Sequence, residues 1–434
     1  MRIAVIGAGW AGLACAVEAT RAGHHVTLFE AARTAGGRAR RIEGAAAGAS
    51  SDPPLDNGQH ILVGAYRETL ALMRTVGIDP QDVLLRLPLS LRRPDGSGLA
   101  VPAGWPAPLD LLAGIVTARG WTWRDKASLL RSAWAWRRAG FRCADDATVG
   151  DLCRDLTPRA MDELIDPLCV SALNTPSARA SGQVFLTVLR DALFGEPGGA
   201  DLLLPRVDLG ALLPDAALAW LADRGATVRL GTRVDVVERG GAGDSHWRIE
   251  GVAIDHVVLA CASWDAVRLL HGSAIDAPAW SGAAEALRFE AIATVYLEGA
   301  SPLSTPMLAL RSSPDEPAQF AFDRTPLGGP AGRLALVVSA ADAPRDVLER
   351  QVRAQARAVL GQPSLQVLRT IVEKRATFAC TPGLRRPGRD IAEAISACGD
   401  HVEGPYPATL EGAVRSGLDA ARCLPAAGQA PATR

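Results

Sequence analysis

Apolar residues open this chain in two rhythms. Ile3 to Ile6 is an unbroken apolar run, the mark of a strand buried on both faces, and Ala11 to Ala22 then repeats apolar positions at helical spacing until Gly23 stops it. His25 to Phe29 is a second apolar run, closed by Glu30, so the opening predicts strand, tight turn, helix, strand. The pattern returns with a helix over Ala216 to Ala222 and a strand over Thr227 to Leu230. Val234 to Glu238 and Trp247 to Glu250 then predict a hairpin, its loop glycine-rich over Gly240 to Gly243, followed by a strand over Val257 to Ala260. A helix-rich insertion from about Ala71 to Leu204 and a mixed segment from about Pro278 to Phe378 interrupt this alternation. Near the end, a Gly399-Asp400 turn and the loop Gly404-Pro405-Tyr406-Pro407 precede helical spacing from Leu410 to Ala421, and the Pro/Ala/Gly tail after Leu424 predicts fraying.

Length changes the picture first: 434 residues with 48% hydrophobic side chains favour two or three structural units over one. The 46 basic and 47 acidic residues nearly cancel, which sets nucleic acid aside as a partner. The eight cysteines include no Cys-x-x-Cys pair, so neither structural zinc nor a redox dithiol is expected, and scattered single thiols fit the cytoplasm. The N-terminus holds motif glycines rather than a cleavable leader, and no stretch reaches the roughly 18 uninterrupted apolar residues that a membrane span needs.

The chemistry begins at the first turn. Gly7-x-Gly9-x-x-Gly12 follows a strand and opens a helix, with Glu30 at the end of the next strand, 18 positions after Gly12. In that context the glycines allow a tight turn and bring backbone N–H groups up to a pyrophosphate, which the helix N-terminus stabilises, while Glu30 accepts from a ribose hydroxyl and disfavours a 2′-phosphate. Trp10, Ala11 and Ala31 flank the same turn and strand end, and Ala260 closes the neighbouring strand. Gly36-Gly37-Arg38 adds a second flexible turn and a guanidinium fork suited to phosphates, which a bare NAD dehydrogenase does not need; the balance moves to a flavin dinucleotide. No second nucleotide motif as complete as the first is visible.

Gly7 to Gly12, Glu30, Gly36-Gly37-Arg38 and Asp56-Asn57-Gly58-Gln59-His60 together resemble the amine oxidase and phytoene desaturase superfamily of flavoproteins over most of the chain. The resemblance implies FAD as cofactor, with Val234 near the adenine, Gly399 and Asp400 facing the ribityl and phosphate, and the Pro407-Ala408-Thr409-Leu410-Glu411-Gly412-Ala413 helix start pointing its N–H groups at the isoalloxazine. Within the superfamily, Asp56 to His60 and the Pro167-to-Pro176 segment look most like the hydroxysqualene dehydroxylases of hopanoid-producing bacteria. That family's reaction would have reduced flavin replace the hydroxyl of a hydrophobic C30 isoprenoid by hydride, with loss of water. A carotenoid-type desaturase, running the flavin in the opposite direction, is the alternative; an amine oxidase fits less well with only three tyrosines. A non-enzymatic flavin scaffold for a hydroxysqualene synthase partner is the third reading.

The implied architecture is α/β: a discontinuous Rossmann-like FAD domain with a central parallel sheet (1–70, 205–277 and 379–434) and an α+β substrate domain with an antiparallel sheet (71–204 and 278–378). Loss of an allylic hydroxyl needs an acid and a dry apolar tunnel. His60 and Asp166 are the candidate acids, against a cofactor or backbone hydrogen bond for His60 and a helix cap for Asp166. Asn174, with Thr175, orients the hydroxyl or the flavin edge, or else Asn-Thr-Pro simply ends a helix and turn. Finally, Trp105 to Phe141 holds five of the ten tryptophans (Trp105, Trp121, Trp123, Trp134, Trp136) among Arg119, Arg124, Lys126, Arg131, Arg137 and Arg138. Either this is an amphipathic surface for peripheral docking on the cytoplasmic membrane, or it is a packed helix pair with a solvated basic face.

Overall fold

The computed structural model describes residues 1–42, 54–102, 104–105, 109–240 and 246–425. Strands β1 (Arg2–Ile6), β2 (His25–Glu30), β3 (Thr227–Leu230), β4 (His256–Leu259), β10 (Asp390–Ala392) and β11 (Ile395–Ala397) form one sheet in the order β3-β2-β1-β4-β11-β10, parallel except for β10. Central β1 has Ile3, Ala4, Val5 and Ile6 all buried, as a parallel strand covered on both faces must. One cover is α1 (Trp10–Arg21) with α10 (Leu410–Arg422). These two helices meet backbone to backbone: a Cβ on Gly417 would lie 2.1 Å from the Ala11 carbonyl oxygen. Accordingly, six of the nine buried residues of α1 are Ala, Gly or Cys. Helix α7 (Pro214–Asp223) completes that side, and the other cover holds α8 (Ser263–Gly272) with Phe29, Val234, Val237, Trp247 and Trp280.

Here the expected hairpin changes form. Its first strand shrinks to Glu238–Arg239, because the Val237 N–H donates to Ser273 Oγ (2.8 Å) instead of a strand partner while Val234 and Val237 sink into the core. Glu250 takes a left-handed φ of 49°, which ends the Trp247–Ile249 strand and turns the chain into a third strand, Val252–Ile254. Gly241 to Gly243 of the expected loop, and the tail beyond 425, lie outside the described residues.

A second sheet is antiparallel, built from β5 (Phe289–Glu298), β6 (Met307–Ala309), β7 (Phe320–Asp323), β8 (Leu334–Ser339) and β9 (Gln366–Phe378) in the order β6-β7-β8-β5-β9. Its side chains alternate with period two. Ala293, Val295, Leu297, Leu336 and Val338 pack on α9 (Arg345–Leu360), whereas Tyr296, Phe320, Phe322, Val337 and Phe378 face the helical insertion. That insertion contains α3 (Leu109–Thr117), α4 (Trp123–Arg138), α5 (Asp166–Leu173, entered through a π-helical turn at Met161–Ile165) and α6 (Gly182–Leu193). By contrast α2 (Arg67–Thr75) packs with the parallel-sheet core through Leu70, Leu72 and Met73, so that core reaches past residue 70.

Candidate active site

Four carboxyl ends of parallel strands converge: Gly7 after β1, Glu30 closing β2, Ala260 after β4 and Gly399 after β11. This is where an open α/β sheet binds ligands. Gly7 has φ 114°, and a Cβ there would sit 2.6 Å from the Ala260 carbonyl oxygen; at Gly12 it would sit 1.8 Å from the Gly7 oxygen. Gly9 is different, for the nearest atom to its missing Cβ is 3.9 Å away, at Gly37 Cα. The first two glycines therefore let the backbone pack and the third leaves room beside it. Gly9 bridges Gly36, which brings the second glycine turn alongside the first. Helix α1 starts at Gly9 with no side-chain cap and no acidic residue in its first turn. Its dipole and N–H groups face that room unneutralised.

Glu30 lies at the rim and accepts from the N–H groups of Ala8 (2.7 Å) and Ala32 (2.8 Å), leaving carboxylate lone pairs for a sugar hydroxyl. Ala31 is exposed beside it, and Trp10 is buried with its indole N–H on the Ala39 carbonyl (3.0 Å). The backbone N–H of Thr232 donates to the Glu30 carbonyl (2.8 Å), which sets buried Val234 against the end of β2.

Arg38 and Asp400, far apart in sequence, form an ion pair, and Arg38 also donates to the Ala376 carbonyl (2.7 Å). Burial disfavours the Asp400 charge, but Arg38 and His401 outweigh it and hold the carboxyl well below the usual carboxylate range. Gly399 donates its N–H to Ser416 Oγ (3.1 Å) on α10. Sequence reasoning missed His401, whose buried Nε2 has no hydrogen-bond partner among the described residues, and Arg386, which donates to the Asp400 carbonyl (3.1 Å). Only the fold brings these to Arg38; no spacing pattern marks them.

The 56–60 segment crosses from the cradle to the antiparallel sheet. Asn57 donates to the Arg38 carbonyl (2.9 Å) and to Glu373 (3.1 Å), the Gln59 N–H reaches Thr294 Oγ1 (3.4 Å), and Arg324 donates to Gln59 Oε1 (2.7 Å). At Gly58, φ is 134°, a left-handed value that favours glycine, and a Cβ there would lie 3.6 Å from Thr294 Oγ1 and 3.8 Å from His60 Cε1. His60 Nδ1 lies 3.0 Å from the Gly58 carbonyl, which needs the ring proton on Nδ1 and leaves Nε2 an acceptor. Burial, the largest cause, lowers the His60 pKa, and the Arg38 charge adds to that. A neutral imidazole in this tautomer receives a hydrogen bond and does not donate one from Nε2.

The other candidates lie in the helical insertion. Asp166, at the start of α5, accepts from Ser177 Oγ beyond the other end of that helix and is not its cap; the α5 N-cap is Ile165. Asn174 ends α5 with a left-handed φ of 46°, donates to Thr377 Oγ1 (2.9 Å) and accepts from the Ala340 N–H (2.8 Å). Its amide thus ties the insertion to the antiparallel sheet. On α10, Thr409 caps the helix through the Gly412 N–H (3.0 Å); half-buried Ala408 packs with the insertion core, whereas Leu410 and Ala413 pack with the parallel-sheet core. Buried Glu411 accepts from the Thr69 N–H (3.0 Å) and binds Arg415. Tyr406, next to that start, donates to Asp191 (2.7 Å) on α6.

The family model for flavin containing amine oxidoreductases matches residues 10–425. The chain belongs to that family. A hydroxysqualene dehydroxylase of Rhodopseudomonas palustris is 30% identical over 98% of this chain and 99% of its own length, and one of Zymomonas mobilis is 26% identical over 96% and 97%. Among solved structures, an oxidoreductase of Methanosarcina mazei shares the fold at TM-score 0.70 (16% identity, 96% and 99% covered). The cyclohexylamine oxidase of Brevibacterium oxydans does so at 0.66 (18% identity, 97% and 98% covered). As a family member the protein is a flavin-dependent oxidoreductase, and the cradle fits the cofactor on its own terms: room at Gly9, an uncapped helix start, and a buried imidazole nitrogen in want of a partner.

Proposed function

We propose that this protein binds FAD and reduces hydroxysqualene to squalene, with release of water. The observation that carries the reading is the end-to-end similarity to a relative named hydroxysqualene dehydroxylase. Bound and reduced, FAD supplies a hydride to the allylic carbon. The chain does the rest. The Gly7–Gly12 turn and the α1 start hold the pyrophosphate, Glu30 holds the adenosine ribose, Val234 borders the adenine, and Gly399 with the Arg38–Asp400 pair holds the phosphate and ribityl side. The α10 start, from Ala408 to Ala413, faces the ring. His60 orients a hydroxyl or the ring edge through Nε2. Asn174 fixes the wall on the substrate side, and Asp166 stays the remaining candidate for an acid. The apolar interior formed by the insertion and Tyr296, Phe322 and Phe378 excludes water from the developing cation.

The substrate dissolves in bilayers, so the enzyme works at the inner face of the cytoplasmic membrane, next to the synthase that makes hydroxysqualene. No helix among the described residues is long and apolar enough to cross a membrane. The test is anaerobic incubation of the dithionite-reduced, FAD-loaded protein with hydroxysqualene. Squalene should form with reoxidation of the flavin; unreacted hydroxysqualene beside a reduced flavin would overturn the reading. A second reading, a desaturase, draws on a 78-residue match at 39% identity to a zeta-carotene desaturase of Synechocystis, which covers 18% of this chain. It predicts the opposite electron flow, with a carotenoid precursor bleaching the oxidised flavin.

A further inference from the structure

Of the ten large hydrophobic side chains that stand exposed among the described residues, six lie between Trp105 and Trp134: Trp105, Leu109, Leu112, Val116, Trp123 and Trp134. Helical geometry puts them together. At about 100° per residue, Leu109, Leu112 and Val116 fall within about 60° of arc on α3. Trp123 and Trp134, 73% and 63% exposed, fall within about 20° of each other on α4. The opposite sides of both helices are buried, through Gly114 and Ile115 on α3 and Asp125, Ser128, Leu129, Ser132 and Trp136 on α4. Trp121, between the helices, is buried with its indole N–H on Glu163 (2.8 Å), so five tryptophans divide into core and surface.

Lys126 joins the two outward faces. Its ammonium donates to the Val116 carbonyl at the end of α3 (2.6 Å) and lies 5.1 Å from the centre of the Trp123 ring. Arg138 lies over Trp134 at 5.4 Å. Around α4 the tryptophan line is bordered by Arg124, Arg131 and Arg138 on one side and Lys126 and Arg137 on the other. From residue 109 to 138 there are six basic and two acidic residues, in a chain whose net charge is −1, and one of the two acids, Asp125, is turned inward into a capping box. Indole rings beside cations suit the headgroup layer of a bilayer, and a positive border suits anionic headgroups. A second copy of the same face would set cation against cation.

We propose that the outward face of α3 and α4 docks flat on a bilayer that contains anionic lipids, with Trp123, Trp134, Leu109, Leu112 and Val116 sunk among the acyl chains and the basic residues on the phosphates. This deepens the reading above, which supplies a bilayer-dissolved substrate.

The experiment is flotation of the full FAD-loaded chain with vesicles of phosphatidylcholine alone or with one third phosphatidylglycerol, at low and high salt. The wild type should float with the anionic vesicles and be released by salt. Trp123→Ser/Trp134→Ser should weaken partitioning at least about tenfold, and Arg124→Glu/Arg131→Glu should remove the preference for anionic lipid, each charge counting for roughly fivefold. The flavin absorbance of each variant reports that it is folded. Absence of wild-type flotation, binding indifferent to lipid charge, or unchanged binding of the tryptophan variant would each overturn the proposal. Reduction of hydroxysqualene dispersed in detergent is measured separately: turnover without flotation removes the docking surface alone, and flotation without turnover removes the proposed reaction alone.

Discussion

Helices α1 and α4 begin in opposite ways. The first turn of α1 has Gly9 as its N-cap, no side-chain hydrogen bond and no acid, while α4 begins with a complete capping box in which Thr122 and Asp125 satisfy each other's backbone N–H groups. An uncapped, unneutralised start at the carboxyl end of a parallel sheet is a binding element waiting for an anion. A closed start is complete in itself, and whatever α4 binds it must bind with side chains along its length. The contrast extends to charges: Arg38 and Asp400 pair across the cradle beside a buried nitrogen that has no partner among the described residues, whereas Glu163, below α4, is met by Arg93 (2.9 Å) and Trp121 (2.8 Å).

The largest effect should come from closing the α1 start. Gly12→Val places a branched side chain where even a Cβ lies 1.8 Å from the Gly7 oxygen, so the turn must open and Gly9 must move. We expect a colourless protein whose FAD dissociation constant rises at least about 100-fold, roughly 3 kcal/mol, read by flavin fluorescence titration. Normal FAD uptake would break the contrast, because it would mean that the cofactor does not depend on that turn.

How far each region can be read from sequence follows from the same contrast. Residues 1–30 are legible because the turn, the helix and both strands are contiguous and each local choice agrees with the whole; Gly7, Gly9, Gly12 and Glu30 meet in space as their spacing implies. The partners that complete the cradle are not contiguous. Arg38 meets Asp400, and Arg324 meets Gln59, only once the two sheets are assembled. In the insertion, tryptophan content marks α4 as unusual, but Trp121 and Trp136 turn inward while Trp123 and Trp134 turn outward, a division set by helix phase against a core that sequence alone does not locate. Val234 to Glu238 reads as a strand because three of its five residues are β-branched valines; tertiary packing of Val234 and Val237 and the Ser273 hydroxyl claim those groups first.

Asp56 opens the segment that runs from the cradle to the antiparallel sheet, and its titration tests the cradle side of the comparison. Burial raises its pKa to about 6, against the opposing pull of the Leu209 N–H and of Arg324. A carboxyl whose folded pKa exceeds its unfolded value binds more protons when folded, so it stabilises the fold as pH falls from 6 toward 4 and weighs against it above 6. The penalty near neutral pH is about 3 kcal/mol. Asp56→Asn keeps an acceptor for the Leu209 N–H (2.8 Å in the wild type) and removes the titration. Its melting temperature should exceed the wild type at pH 7.5 and converge with it below pH 4.5, by thermal denaturation across pH; a parallel shift at all pH values would mean that the Arg324 pairing outweighs burial.

The smallest effect should come from α4, and its value lies in what stays the same. Thr122→Ala removes the hydroxyl that accepts from the Asp125 N–H and donates to the Asp125 carboxylate, which costs about 1 kcal/mol at an N-cap. Asp125 also accepts from Thr157 Oγ1 (2.7 Å), so part of its anchoring persists and the helix should shift little. Denaturant melts should show that modest loss equally in the apoprotein and with FAD, because the hydrogen bonds of Thr122 and Asp125 among the described residues stay within the insertion. If FAD affinity fell together with stability, the two helix starts would be energetically coupled, and the division between an element completed by its ligand and an element complete in itself would fail.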